Sequence, residues 1–137
     1  MKTLQELNTL LLRACQDQPA IMAVYIFGSV AQGRAKSPSD VDVALLLGER
    51  NSESSSLLTF MTQLEDLLEC QVDVVVLNTA HELLKYNVRR TGKLIFDRSP
   101  QFRKNFDIRS RKAYEDFLYL HKFYVSKVLY GGRQNNA

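Results

Sequence analysis

Leu4, Leu7, Leu11 and Ala14 recur at the three-and-four spacing of one helical face, so residues 3–17 predict an amphipathic helix that Pro19 stops. The pattern then changes period. "IMAVYIF" (21–27) is a short apolar run with β-branched and aromatic residues that ends at Gly28, and it predicts a buried strand. "VDVALLL" (41–47) predicts a second. Its apolar residues fall on both parities, so both of its faces should be covered. Leu57, Met61, Leu64 and Leu68, joined by Leu58 and Leu67, predict a helix over about 54–69. "VDVVVL" (72–77) is a third strand, residues 79–90 a short helix with Thr79 as its candidate cap, and "KLIFD" (93–97) a fourth, edge strand. After Pro100 a helical pattern runs to about Tyr130, where Gly131 and Gly132 end it.

The order α-β-loop-β-α-β-α-β-α predicts an α+β fold, a mixed four-stranded sheet flanked by helices with a long C-terminal helix. The short link between the first two strands makes them neighbours. In the last helix Phe102, Phe106, Ala113, Phe117, Leu120, Tyr124 and Val128 follow helical spacing and are expected in the core. Tyr114, Tyr119, Phe123 and Tyr130 widen that stripe beyond one face, which points to a protein–protein interface over about 100–130.

Composition narrows the class. With 137 residues the chain fits one domain over 1–137, and 45% hydrophobic with 24% charged residues is the mix of a soluble globular protein. Gln5, Glu6 and Asn8 interrupt any apolar leader, and no run approaches membrane-span length, so a cytoplasmic protein is expected. Cys15 and Cys70, far apart on helix-like patterns, read as reduced, half-buried thiols. The net charge of +3 is uneven: residues 100–137 hold 8 Lys/Arg against 3 Asp/Glu. A basic tail suits an acidic or nucleic-acid partner, and equally a solvated helix face.

The chemistry gathers between the first two strands. Residues i and i+2 of a strand share a face, so Asp40 and Asp42 project together at the mouth of the second strand. Asp73, second in the third strand, lies at the same end if those strands run parallel, which the helix between them permits. Two carboxylates about 5 Å apart repel by roughly 3 kcal/mol at an effective dielectric near 20. The flanking Val and Leu residues offer no compensation, so either protons or cations must sit among them. Oxygen-only ligand sets suit Mg²⁺ or Mn²⁺, which bind substrate phosphates. Gly28 lets a phosphate approach the backbone, Ser29 adds a donor, and Arg34 and Lys36 are cations within reach of a polyphosphate. Gly28-x₄-Gly33 also begins a P-loop pattern, but Arg34 and Ala35 occupy the places that need Lys and Ser or Thr.

Gly28-Ser29, ten residues, then Asp40-Val41-Asp42 reads as G-S-x₁₀-D-x-D, which resembles the signature of the polymerase-β-like nucleotidyltransferases. Asp73 matches the third carboxylate of that family, and "VRRTGKLIFDR" (88–98) is also similar; the resemblance covers about residues 20–98. The small size resembles the minimal nucleotidyltransferases, the antitoxin half of MNT–HEPN toxin–antitoxin pairs. The resemblance implies transfer of AMP from ATP to a tyrosine of a HEPN RNase toxin, which silences it. It implies that Asp40 and Asp42 bind two Mg²⁺, that Asp73 completes the second metal site and helps deprotonate the acceptor, and that Gly28 and Ser29 bind the leaving phosphates. It implies a hetero-oligomer with the toxin, with no membrane and no direct nucleic-acid contact. The alternative is a non-enzymatic antitoxin that blocks the toxin by contact. His121 lacks the toxin's own pattern, because Arg111 lies too far upstream.

Overall fold

The structure, a computed structural model, describes residues 3–28, 41–48 and 54–130. Thr3 caps the first helix, α1 (Leu4–Gln16), by accepting from the Glu6 amide at 3.2 Å. The strands follow as β1 (Ile21–Phe27) and β2 (Val41–Leu47), then helix α2 (Ser54–Leu68) and β3 (Val72–Val76). A 3₁₀ turn (Leu77–Thr79) leads to α3 (Glu82–Thr91), β4 (Lys93–Asp97) and the 25-residue α4 (Pro100–Tyr124), which continues through one wider turn to Leu129. Among the described residues no helix is long and apolar enough to cross a membrane.

The sheet order is β3-β2-β1-β4. β1 pairs antiparallel with β2 and with β4, whereas β2 and β3 are parallel, because α2 carries the chain back before β3 begins. The alternation read from β2 divides its side chains between two cores. Val41, Val43 and Leu45 join Leu7, Leu11, Phe60, Leu64 and Leu68 under α1 and α2. Ala44 and Leu46 join Ala23, Tyr25, Phe27, Leu77 and Val88, on which α3 and the start of α4 pack. Each fully buried leucine here contributes about 1.5–3 kcal/mol.

Side chains fasten the elements where apolar contact cannot. The Asn78 amide donates to the Leu47 carbonyl at 2.8 Å and accepts from the Leu47 N–H at 2.9 Å, as a strand residue would. Thr79 ends the 3₁₀ turn, and His81 caps α3 instead of the expected Thr79, its Nδ1 accepting from the Leu83 N–H at 3.1 Å. The Arg98 guanidinium donates to the carbonyls of Cys15, Gln16, Gln18 and Ile21, capping the end of α1 and joining it to β1 and β4.

Two further expectations are corrected. Cys15 is completely buried rather than half-buried, and burial pushes its thiol up to about 12, with nearby Arg98 pulling the other way. In α4, Phe102 and Phe106 pack on the sheet, but Leu120, Tyr124 and Val128 are 63%, 53% and 58% exposed. A 25-residue helix is about 37 Å long, while four strands about 4.8 Å apart span far less, so α4 outruns the surface that would cover it.

Candidate active site

The first two strands meet at a single crowded point. Phe27 pairs with Asp42 across the β1–β2 ladder, and the chain leaves β1 through Gly28 in the left-handed region, at φ +77°. A Cβ on Gly28 would collide with the Asp42 carboxylate, since it would meet Oδ2 and lie 3.3 Å from Cγ. Glycine is thus required twice, by the backbone turn and by the space the carboxylate fills.

Asp42 in turn faces Asp73 in the parallel ladder. Parallel partners in register point to the same side, about 4.8 Å apart along the hydrogen-bonding direction. Asp42 shares its side with Ala44 and Leu46, and Asp73 with Val75 and Leu77, so both carboxylates stand on the sheet face that carries α3 and α4. They occupy its end rather than its middle. Asp42 is partly buried and Asp73 is exposed. Sequence parity placed these two residues together only if the strands ran parallel, and they do.

Ser29, Arg34, Lys36 and Asp40 lie outside the described residues. Asp40 immediately precedes Val41, whose N–H donates to the Gln71 carbonyl at 2.9 Å at the entry to β3. Among the described residues no three metal-ligating side chains cluster; Asp42 and Asp73 form a pair. Two neighbouring carboxylates, oxygen donors only, at an end of the sheet reached by solvent, fit a hard divalent cation.

A second polar group on the same face was not evident in the sequence. Arg103 Nε lies 2.8 Å from Asp97 Oδ2 and its Nη1 3.6 Å from Asp107 Oδ2. Burial raises the pKa of Asp107, opposed by the charges of Arg103, Arg89 and Arg111. Tyr25, in the sheet core beneath, is pushed up to about 12, first by burial and then by the negative charge of Asp107. This ladder ties the first turns of α4 to the sheet. Its acids are occupied by Arg103, and its tyrosine is protonated at physiological pH. His81 faces the edge of Phe117 with ring centroids 5.2 Å apart, and its Nδ1 is committed to the cap.

A strand ending in a left-handed glycine thus stands against carboxylates aligned on the next two strands. The family model described as "Polymerase beta, Nucleotidyltransferase" matches residues 11–101, and the chain belongs to that family. It is 31% identical over 85 residues to the Methanocaldococcus jannaschii protein MJ1379, provisionally named a protein adenylyltransferase; the match covers 59% of this chain and 85% of that one. Among solved structures it is similar in fold to a chain of a toxin–antitoxin complex with AMP-PNP, with a TM-score of 0.77 and 23% identity over 89% of this chain and 98% of that one. It is similar also to a chain of the complex of a tri-AMPylated Shewanella oneidensis HEPN toxin with an MNT antitoxin, with a TM-score of 0.73 and 21% identity over 91% and 98%.

Proposed function

We propose that this chain is a minimal nucleotidyltransferase antitoxin that transfers AMP from ATP to a tyrosine hydroxyl of a cognate HEPN RNase toxin, and so silences it. The observation that carries the proposal is the register pairing of Asp42 with Asp73 beside Gly28. Family membership and the likeness to a protein named as an adenylyltransferase support the reaction type, and the likeness to antitoxin chains supports the acceptor.

Asp40 and Asp42 would hold Mg²⁺, with Asp73 completing the site for a second ion, and the metal would supply charge stabilisation to an in-line displacement. Gly28 leaves room for the β- and γ-phosphates to approach the backbone, Ser29 donates to them, and Arg34 and Lys36 offset their charge. The tyrosine oxygen bonds to the α-phosphorus, the bond to the β-phosphate oxygen breaks, and pyrophosphate leaves with its electron pair. Asp73 helps take the proton of the attacking hydroxyl and, being exposed, passes it to water. Core residues of about 20–98 do this chemistry, while 100–130 meets the toxin. A reaction drawing on cellular ATP belongs in the cytoplasm.

The uncovered second half of α4 favours a second reading, in which contact alone neutralises the toxin. One assay separates the two. The chain is mixed with its toxin, Mg²⁺ and α-labelled ATP, beside a D40A/D42A variant. Label on the toxin that disappears in the variant is expected; full neutralisation by the variant without label would leave only the binding role.

A further inference from the structure

α3 and α4 leave a groove of about 400 Å³ between them, and cations dominate its lining. Arg89, Arg90 and Arg111 converge there with Tyr86 and Tyr114, and Glu115 is the one acid in the lining among the described residues. The two tyrosine rings stack at 4.2 Å and within 8° of parallel, and the Arg89 guanidinium lies 5.9 Å from the Tyr86 ring. Asp107 influences Arg89 and Arg111 from a distance, but its carboxylate is paired with Arg103 at 3.6 Å. None of the three arginines makes an ion pair with a described residue. Guanidinium stays charged at any physiological pH, so three of them in one groove repel one another until anions enter.

Leu118, at the rim of the groove, is 44% exposed, and Lys122 follows it one turn later on the same side of α4, while Leu120, Phe123 and Tyr124, 63%, 54% and 53% exposed, lie on the other side. Arginine and tyrosine, which line the groove, are the residues enriched at the energetic centres of protein–protein interfaces.

The position is also apt. α3 leads through Gly92 into β4, whose first residue, Lys93, pairs with Ile26 just before Gly28. The arginines at the end of α3 therefore sit at the end of the sheet where Asp42 and Asp73 stand.

We infer that the α3–α4 groove is the docking site for the protein acceptor, and that it takes a carboxylate-rich helix or segment whose other face is apolar. The three guanidiniums grip the carboxylates, and Leu118 at the rim covers part of the apolar side. The acceptor is thus held beside the carboxylate pair without any contact to ATP. The inference rests on the AMP-transfer reading for the identity of the acceptor.

The test measures transfer to the cognate HEPN toxin by the full chain and by R90E/R111E and L118S variants, each checked for an unchanged circular dichroism spectrum. The expected result is an apparent KM for the toxin raised about tenfold or more, with kcat, the KM for ATP and the melting shift on adding Mg²⁺-ATP unchanged. Raising the salt should weaken the wild type more than R90E/R111E. Folded variants with an unmoved KM for the toxin would overturn the inference, as would loss of single-stranded RNA binding in their place. If the wild type binds the toxin without labelling it, the transfer reading falls; the groove then stands on whether the same variants lose that binding.

Discussion

The two faces of the sheet divide the work of the molecule. Towards α1 and α2 the sheet presents Ile21, Val24, Ile26, Val41, Val43 and Leu45, closed under Leu7, Leu11, Phe60 and Leu64, and among the described residues no charged side chain is buried there. Towards α3 and α4 the same strands present Ala23, Tyr25, Phe27, Ala44 and Leu46, interrupted by Asp42 and Asp73 at one end and adjoined by the Arg103 ladder. The first face is sealed and gives the fold its stability. The second is left open where the carboxylates stand and where α4 runs past its cover. Charge cannot be buried cheaply, so a small domain keeps its chemistry on the face it seals less completely.

That division makes its own tests. Asp42→Ala should reduce AMP transfer by at least about a hundredfold while changing the melting temperature little, and Mg²⁺-ATP should stabilise the wild type but not the variant. Comparable loss of stability and activity would show that the open face is structural after all. Gly28→Ala should lose activity for a related reason: the new methyl displaces the Asp42 carboxylate, and the left-handed backbone adds about 1–2 kcal/mol of strain. On the sealed face, Leu11→Ala or Leu64→Ala should lower unfolding free energy by about 2–5 kcal/mol, whereas Leu118→Ala, on the uncovered helix, should stay within about 0.5 kcal/mol; denaturant titration reads both. The gentlest test is thiol reactivity. Cys15 should alkylate only on unfolding, because burial pushes its thiol up to about 12 against 9.0 for an ordinary one. The sign follows: the buried neutral thiol costs the fold nothing below pH 9, and stability falls as the pH climbs from there through 12.

The strands and their carboxylates were legible because strand parity is local. A run that begins Val-Asp-Val and ends in glycine carries its own period, and Asp42 and Asp73 occupy the same second place in theirs. The fates of Leu120, Tyr124 and Val128 were not legible, since helical spacing says which residues share a face and nothing about whether a sheet extends beneath them. Nor were the long-range fasteners. Asn78 reads as a loop polar residue until Leu47 is known to lie beside it, and Arg98 reads as a surface charge until four distant carbonyls converge on it. The same holds for the groove arginines: Arg111 was visible as part of a basic tail, but Arg89 and Arg90 precede it on another helix and meet it only in three dimensions.

The parallel pairing of β2 with β3 has a kinetic consequence. Asp42 and Asp73 come from strands that only a helical crossover can align, so no hairpin formed early in folding brings them together. If the proposed site holds, a chain that has collapsed but not yet zipped β3 onto β2 has two isolated acids and no grip on a nucleotide. Appearance of ATP binding during refolding would therefore time the closing of that last, non-local seam.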